Sequence, residues 1–189
     1  MPYEGPKIYR RDELTYNRYL KVEELLALQQ LQSDPPHHDE TLFIIIHQSY
    51  ELWFKQILHE MESAIRAMAD VRLLRAFRRL DRIVKIMRLL VDQIHILETM
   101  APSDFLQFRD RLNPASGFQS IQFREVEFLA GLADTNYLNV FKNWPEYQAA
   151  LQRRLDGPNL RSAYFDLLAA VGYDVPSGLR SEEHTSELQ

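Results

Sequence analysis

The sequence predicts an all-α fold built on long antiparallel helices, and three observations carry that expectation. Apolar residues recur at three- and four-residue spacings through most of the chain, as one face of a 3.6-residue helix requires. Two long stretches, from His37 to Ala69 and from about Val71 to Met100, contain neither glycine nor proline. No segment carries a convincing two-residue alternation of polar and apolar side chains, and no internal repeat is evident. With 189 residues, 46% of them hydrophobic and 26% charged, the chain is long enough to enclose one substantial core.

Taken in order, residues 1–14 lack periodicity and read as an arm, followed by one helical domain over 15–178. Tyr16 to Leu20 leads into a helix from Lys21, where Val22, Leu25, Leu26 and Leu28 keep helical spacing. Glu23 and Glu24 lie in its first turn, where carboxylates meet the positive end of the helix dipole. Pro35-Pro36 then breaks the chain, and the His37 to Ala69 helix follows with Asp39 and Glu40 near its start. The second long helix ends at Ala101-Pro102, and Pro102 suits the first turn of a short helix reaching Leu112.

Asn113-Pro114-Ala115-Ser116-Gly117 is a loop by composition. Periodicity returns with Phe118, Ile121, Gln122, Glu125, Phe128 and Leu129. Pro145 and Pro158 are expected as first-turn prolines of two further helices, and Gly172 fits the position after the last one. Residues 179–189 differ in kind: they have no apolar periodicity and resemble the translation of a sequencing-library adapter, so they are read as a non-native tail.

Composition limits the functional classes. The chain has no cysteine, and Met1 to Gly5 lacks the basic and apolar regions of a secretory signal, so a cytoplasmic, disulfide-free protein is expected. No apolar run approaches the roughly 20 residues of a membrane span. A formal net charge of −5 argues against binding nucleic acid through its phosphates. Arg72, Arg75, Arg78, Arg79, Arg82, Lys85 and Arg88 interleave with Leu74, Phe77, Leu80, Ile83, Val84 and Met87. These cations read as the outer face of an amphipathic helix, solvated or facing another subunit, with a phosphate-binding stripe as one alternative and a helical interaction module using this face as another.

Several residues are able to carry chemistry. Phe43, His47, Tyr50 and Phe54 lie at i, i+4, i+7 and i+11, so the His47 imidazole shares a helix face with three aromatic rings. It is either a satisfied core histidine or the one polar group of an aromatic cavity. Glu51, one turn later, either orients that ring or forms a surface pair. Arg109, close to Phe105, Leu106 and Phe108, is either a structural ion-pair partner or a receptor whose fork takes a carboxylate bidentately. His59 with Glu60 and Glu62, and Asp92 with His95, raise a ferritin-like metal protein as an alternative. That class needs paired Glu-x-x-His motifs, which the sequence lacks.

Taken together, Leu14 to Leu20, His38 to Gln48, Glu51-Leu52-Trp53, Phe108-Arg109-Asp110 and Pro114 to Ser120 resemble the tryptophan 2,3-dioxygenases, in order and spacing, over about Leu14 to Pro176. The resemblance implies an all-α homotetramer that uses haem b iron and dioxygen to convert L-tryptophan to N-formylkynurenine. It implies that His47 hydrogen-bonds the indole nitrogen and that Phe43 packs on the indole, with Ile44, Ile45 and Ile46 completing the wall. It implies that Arg109 clamps the substrate carboxylate, and that Phe105 packs where many relatives have tyrosine. By the same likeness, Ser116 and Gly117 border the haem edge, while Tyr16, Tyr19 and Leu20 enter a neighbouring subunit's pocket.

One part of the family pattern is not matched. The axial haem histidine of the family falls in a helix beyond these residues, and His184, in the tail, has no helical apolar setting. No residue of the chain is therefore assigned as a metal ligand, and this chain is expected to ligate haem poorly.

Overall fold

A long helix without glycine or proline needs partners along its whole length, and in the computed structural model three helices supply them. The structure describes residue 10 and residues 13–176. The tail and most of the predicted arm lie outside the described residues. The central element, α3 (His38–Ala69), packs against α4 (Leu73–Leu97), α6 (Ile121–Ala130) and α9 (Leu160–Ala170). Contacts run in opposite senses along α3 and α4. Tyr50 Oη donates to the Leu90 carbonyl at 2.5 Å and Arg82 reaches Glu60 at 2.6 Å, so the pair is antiparallel.

Phe54, Ile57, Leu58, Met61, Ile65 and Met68 of α3 meet Ala76, Ile86 and Leu90 of α4, Val126 and Leu129 of α6, and Ala163 and Leu167 of α9 in one buried cluster. Burying a large aliphatic or aromatic side chain contributes about 1.5–3 kcal/mol, so this cluster dominates the stability of the domain. A second cluster of Phe128, Phe141 and Leu151 joins α6 to α8 (Pro145–Asp156).

The predicted boundaries hold for the long elements and shift for the short ones. Lys21 takes a left-handed φ of 54°. It splits the first predicted helix into α1 (Tyr16–Leu20) and α2 (Val22–Leu26). The short helix from Pro102 is α5 (Pro102–Arg109), continued by a 3-10 turn over Asp110–Leu112. Pro145 opens α8 as expected, but Pro158 does not open α9. Asn159 caps that helix, its side chain accepting from Ser162 N at 2.8 Å while Ser162 Oγ accepts from Asn159 N at 3.1 Å. A helix absent from the sequence reading, α7 (Asn136–Val140), delivers Phe141 to the second cluster.

The α4 pattern needs a larger correction. Leu74, Phe77, Val84 and Met87 are exposed, and burial falls instead on Ala76, Ile86 and Leu90. Two apolar stripes run along this helix, and a spacing argument does not choose between them. Nor is the cationic face wholly solvated. Arg82 Nη1 lies 2.6 Å from the Glu60 carboxylate, which is only 2% exposed, Arg79 Nε lies 3.5 Å from its other oxygen, and Gln56 donates to it at 2.7 Å.

Arg82→Ala removes the best-placed donor from a buried charge. It is expected to destabilise the domain by about 1–3 kcal/mol in chemical denaturation, since Gln56 and Arg79 compensate only in part. A loss below about 0.5 kcal/mol would contradict that role. Among the described residues no helix is long and apolar enough to cross a membrane.

Candidate active-site groove

The first turns of α3 present a face that the core does not use. Residues at i, i+3, i+4, i+7 and i+11 share one side of a helix. On that side Glu40, Phe43, Ile44, His47 and Glu51 border a groove of about 560 Å³. Phe105 and Arg109 of α5, Leu112, the loop residues Ala115, Ser116 and Gly117, and then Gln119 and Ser120, form the opposite wall. The extended segment before α3 closes the third side through Gln30 and Gln32.

The aromatic stripe inferred along α3 divides at this level. Phe43 and His47 face the groove with ring centroids 4.1 Å apart, while Tyr50 and Phe54 turn inward to the core, 5.9 Å apart. Phe43 also lies 5.6 Å from Phe105 and 5.7 Å from Phe108, and Phe105 meets Phe108 edge-on at 5.5 Å. Such tilted and edge-on pairs are the favoured aromatic geometries, so the apolar end of the groove is a packed cluster.

His47 Nδ1 donates to the Phe43 carbonyl at 2.7 Å. In the neutral ring this bond leaves Nε2 as a hydrogen-bond acceptor. Glu51 does not orient that ring. The carbonyl one turn earlier does so, and Glu51 instead accepts from Gln122 Nε2, at 2.8 Å on its carboxylate and 3.0 Å on its backbone oxygen, tying α6 to α3.

Arg109 is half-buried, its guanidinium carbon 6.0 Å from the Phe105 ring centre. It forms no ion pair among the described residues, whereas the buried Arg124 pairs with Glu127 at 2.8 Å and Arg154 bridges Glu62 and Glu125 at 2.7 and 3.0 Å. Arg109 thus lines the groove without a carboxylate partner among the described residues. The following loop is fixed by its own hydrogen bonds: Ser116 Oγ accepts from Phe118 N at 3.4 Å and Gln119 Oε1 accepts from Ser116 N at 3.1 Å. A side chain at Gly117 would meet nothing within 4 Å, so the edge of the groove there is open.

Glu40 is wholly buried. It accepts from Gln32 N at 2.6 Å, from Ser33 N at 3.0 Å and from the Ser33 hydroxyl. Burial works against its charge, but the Ser33 hydroxyl and the Gln32 and Ser33 amides outweigh it and hold the carboxyl below its usual range.

Of the residues singled out from sequence, Phe43, Ile44, His47, Phe105, Arg109, Ser116 and Gly117 come together here. Ile45 and Ile46 do not line the groove. Successive helix residues lie about 100° apart, so Ile45 turns to solvent and Ile46 into the protein interior. Tyr16, Tyr19 and Leu20 are exposed on α1 and do not line the groove within the chain. Glu40, Gln32 and Gln48 escaped the sequence reading. Only Glu40 carried a signal, standing three and seven residues before Phe43 and His47. His59 is exposed, His95 pairs with Glu98 at 2.9 Å, and no group of three potential metal ligands gathers among the described residues, so the ferritin-like alternative gains no support.

The fold and groove define an all-α protein with an open groove lined by Phe43, Phe105, His47 and Arg109. The family model described as tryptophan 2,3-dioxygenase matches residues 4–182, and the chain belongs to that family. It is 50% identical over 183 residues to a tryptophan 2,3-dioxygenase of a Nocardioides species, an alignment covering 91% of this chain and 68% of that protein. It is 43% identical over 162 residues to the Myxococcus xanthus enzyme of the same name, covering 86% and 56%. With the Xanthomonas euvesicatoria enzyme it shares 40% over 173 residues, covering 92% and 58%. The chain thus spans between about half and two thirds of the length of these relatives.

Proposed function

We propose that the groove binds L-tryptophan for oxidation by dioxygen to N-formylkynurenine, in a homotetramer that uses haem b. The observation that carries the reading is Arg109, a cation on the groove wall with no carboxylate partner among the described residues, facing the same space as His47 and Phe43. Arg109 takes the amino acid carboxylate through its fork. Phe43, Ile44 and Phe105 form one apolar wall on which the indole packs, and that contact sheds water from the ring. His47, its Nδ1 proton committed to the Phe43 carbonyl, accepts the indole N–H at Nε2 and so fixes which ring edge faces the open side. Its role is orientation, since attack on an electron-rich indole needs no prior loss of that proton.

Haem b would lie along the open flank of the groove, with no described residue assigned as its axial ligand. The flank beside Ser116 and Gly117 is open where a side chain would stand, and it adjoins the apolar wall. Haem b, when bound, supplies the activation of dioxygen, and the protein supplies binding and orientation. His47 is the groove's own histidine among the described residues and is assigned to substrate, so Ser116 and Gly117 are the contacts proposed for the cofactor. The exposed rings of Tyr16 and Tyr19, with Leu20, support the tetramer reading, in which α1 docks beside a neighbouring subunit's groove.

Calorimetric titration with L-tryptophan, tryptamine and indole-3-propionate tests this reading. Tryptamine, which lacks the carboxylate, is expected to bind at least about tenfold more weakly than tryptophan, because one charge-assisted pair is lost. Indole-3-propionate is expected to retain most of that difference. Equal affinities for tryptophan and tryptamine would remove Arg109 as the carboxylate receptor and with it the proposed orientation.

A further inference from the structure

The third wall of the groove is made of chain without regular secondary structure, and something must hold it in place. Gln30 and Gln32 line the groove from the extended segment between α2 and α3. Two ties join this segment to α3. One is an exchange of side-chain amides, Gln29 Nε2 donating to Gln48 Oε1 at 2.5 Å and Gln48 Nε2 to the Leu28 carbonyl at 3.2 Å. The other is Glu40, which gathers Gln32 N, Ser33 N and the Ser33 hydroxyl around one buried carboxylate, while Ser33 Oγ in turn accepts from His37 N at 2.8 Å. Hydrogen bonds to an ionised acceptor are the strong ones, and losing the acceptor leaves donors unmet.

We infer that Glu40 is a positioning residue for the groove: its buried carboxylate pins residues 30–33 as a wall of the ligand site and thereby sets where α1 and α2 leave the domain. Glu40 acts through the segment and not by touching the indole, because its oxygens are already committed to the three donors. Its placement on the same α3 face as Phe43 and His47 gives the wall and the binding rings one rigid reference. The ligand half of the test rests on the tryptophan reading. The other half does not.

The test compares the full chain with Glu40→Gln and the milder Ser33→Ala, by amide hydrogen exchange and by tryptophan titration. Glu40→Gln keeps the shape but turns one acceptor into a donor, so at least one amide of Gln32 or Ser33 loses its partner. Exchange of those two amides is expected to accelerate by about tenfold or more, with protection in the Phe54 to Met68 part of α3 unchanged. The tryptophan dissociation constant is expected to rise by about tenfold, and by about threefold in Ser33→Ala, while the ratio of tryptophan to tryptamine affinity stays at the wild-type value.

Unchanged exchange at Gln32 and Ser33 would overturn the inference, and so would faster exchange with undiminished tryptophan affinity. Should Glu40→Gln unfold, Ser33→Ala decides by the same two readouts. If the wild-type chain binds no tryptophan, the proposed function falls. The exchange comparison then decides by itself whether Glu40 pins the wall.

Discussion

Arg109→Ala is expected to raise the dissociation constant for L-tryptophan by about tenfold to a hundredfold and to leave that for tryptamine nearly unchanged. The range follows from a charge-assisted bond of about 1.5–3 kcal/mol, with each 1.4 kcal/mol worth a factor of ten. The specificity of the effect is the informative part. A general loosening of the groove would weaken both ligands, whereas loss of a carboxylate receptor weakens only the one that has a carboxylate. Arg109→Lys is expected to recover part of the affinity, because the ammonium restores the charge without the bidentate fork. Calorimetry on the three proteins checks this, and a parallel loss of tryptamine binding would instead assign Arg109 to the architecture of α5.

Phe108→Ala is expected to have the largest effect on stability that also reaches the site. Phe108 is wholly buried, with His37 at 5.4 Å, Phe43 at 5.7 Å and Phe105 at 5.5 Å around it. Truncating such a ring removes its burial and leaves a cavity, at a cost of about 3–5 kcal/mol. In a domain of this size that lowers the melting temperature by about 10 °C or more. Tryptophan affinity falls with it, since Phe43 and Phe105 lose the ring that backs them. Thermal unfolding followed by circular dichroism measures the first effect and titration at low temperature the second. A loss of less than 1 kcal/mol would mean that the cluster is not the keystone of the α3 to α5 contact.

Much of this was legible in the sequence where one periodicity had one answer. The His37 to Ala69 stretch has no breaker, and α3 spans His38–Ala69. Phe43, His47 and Arg109 stood out because a polar group among rings is unusual enough to notice. Where two answers existed, sequence did not decide. The second stripe on α4, Leu74, Phe77, Val84 and Met87, has the same spacing as the buried one, and only the position of α3 selects between them. Ile44, Ile45 and Ile46 are chemically alike, yet a rotation of about 100° per residue gives them three different environments.

Other features depended on chain reversals with weak local signals. The left-handed turn at Lys21 lacks the glycine that usually marks such a conformation. The role of Glu40 was hidden because its partners, Gln32 and Ser33, sit on the far side of two prolines. A carboxylate in a helix's first turn is ordinarily read as answering the helix dipole. The Pro158 expectation failed for a similar local reason: Asn159 and Ser162 form a reciprocal cap that sets the helix start after the proline.

The most direct measurement of the central claim is a set of intermolecular nuclear Overhauser contacts between bound L-tryptophan and the isotopically labelled chain. The account predicts contacts from the indole protons to Phe43, Ile44 and Phe105, together with a perturbed Arg109 guanidinium signal. Saturable binding with contacts elsewhere, such as the exposed apolar stripe of α4, and an unperturbed Arg109, would contradict it.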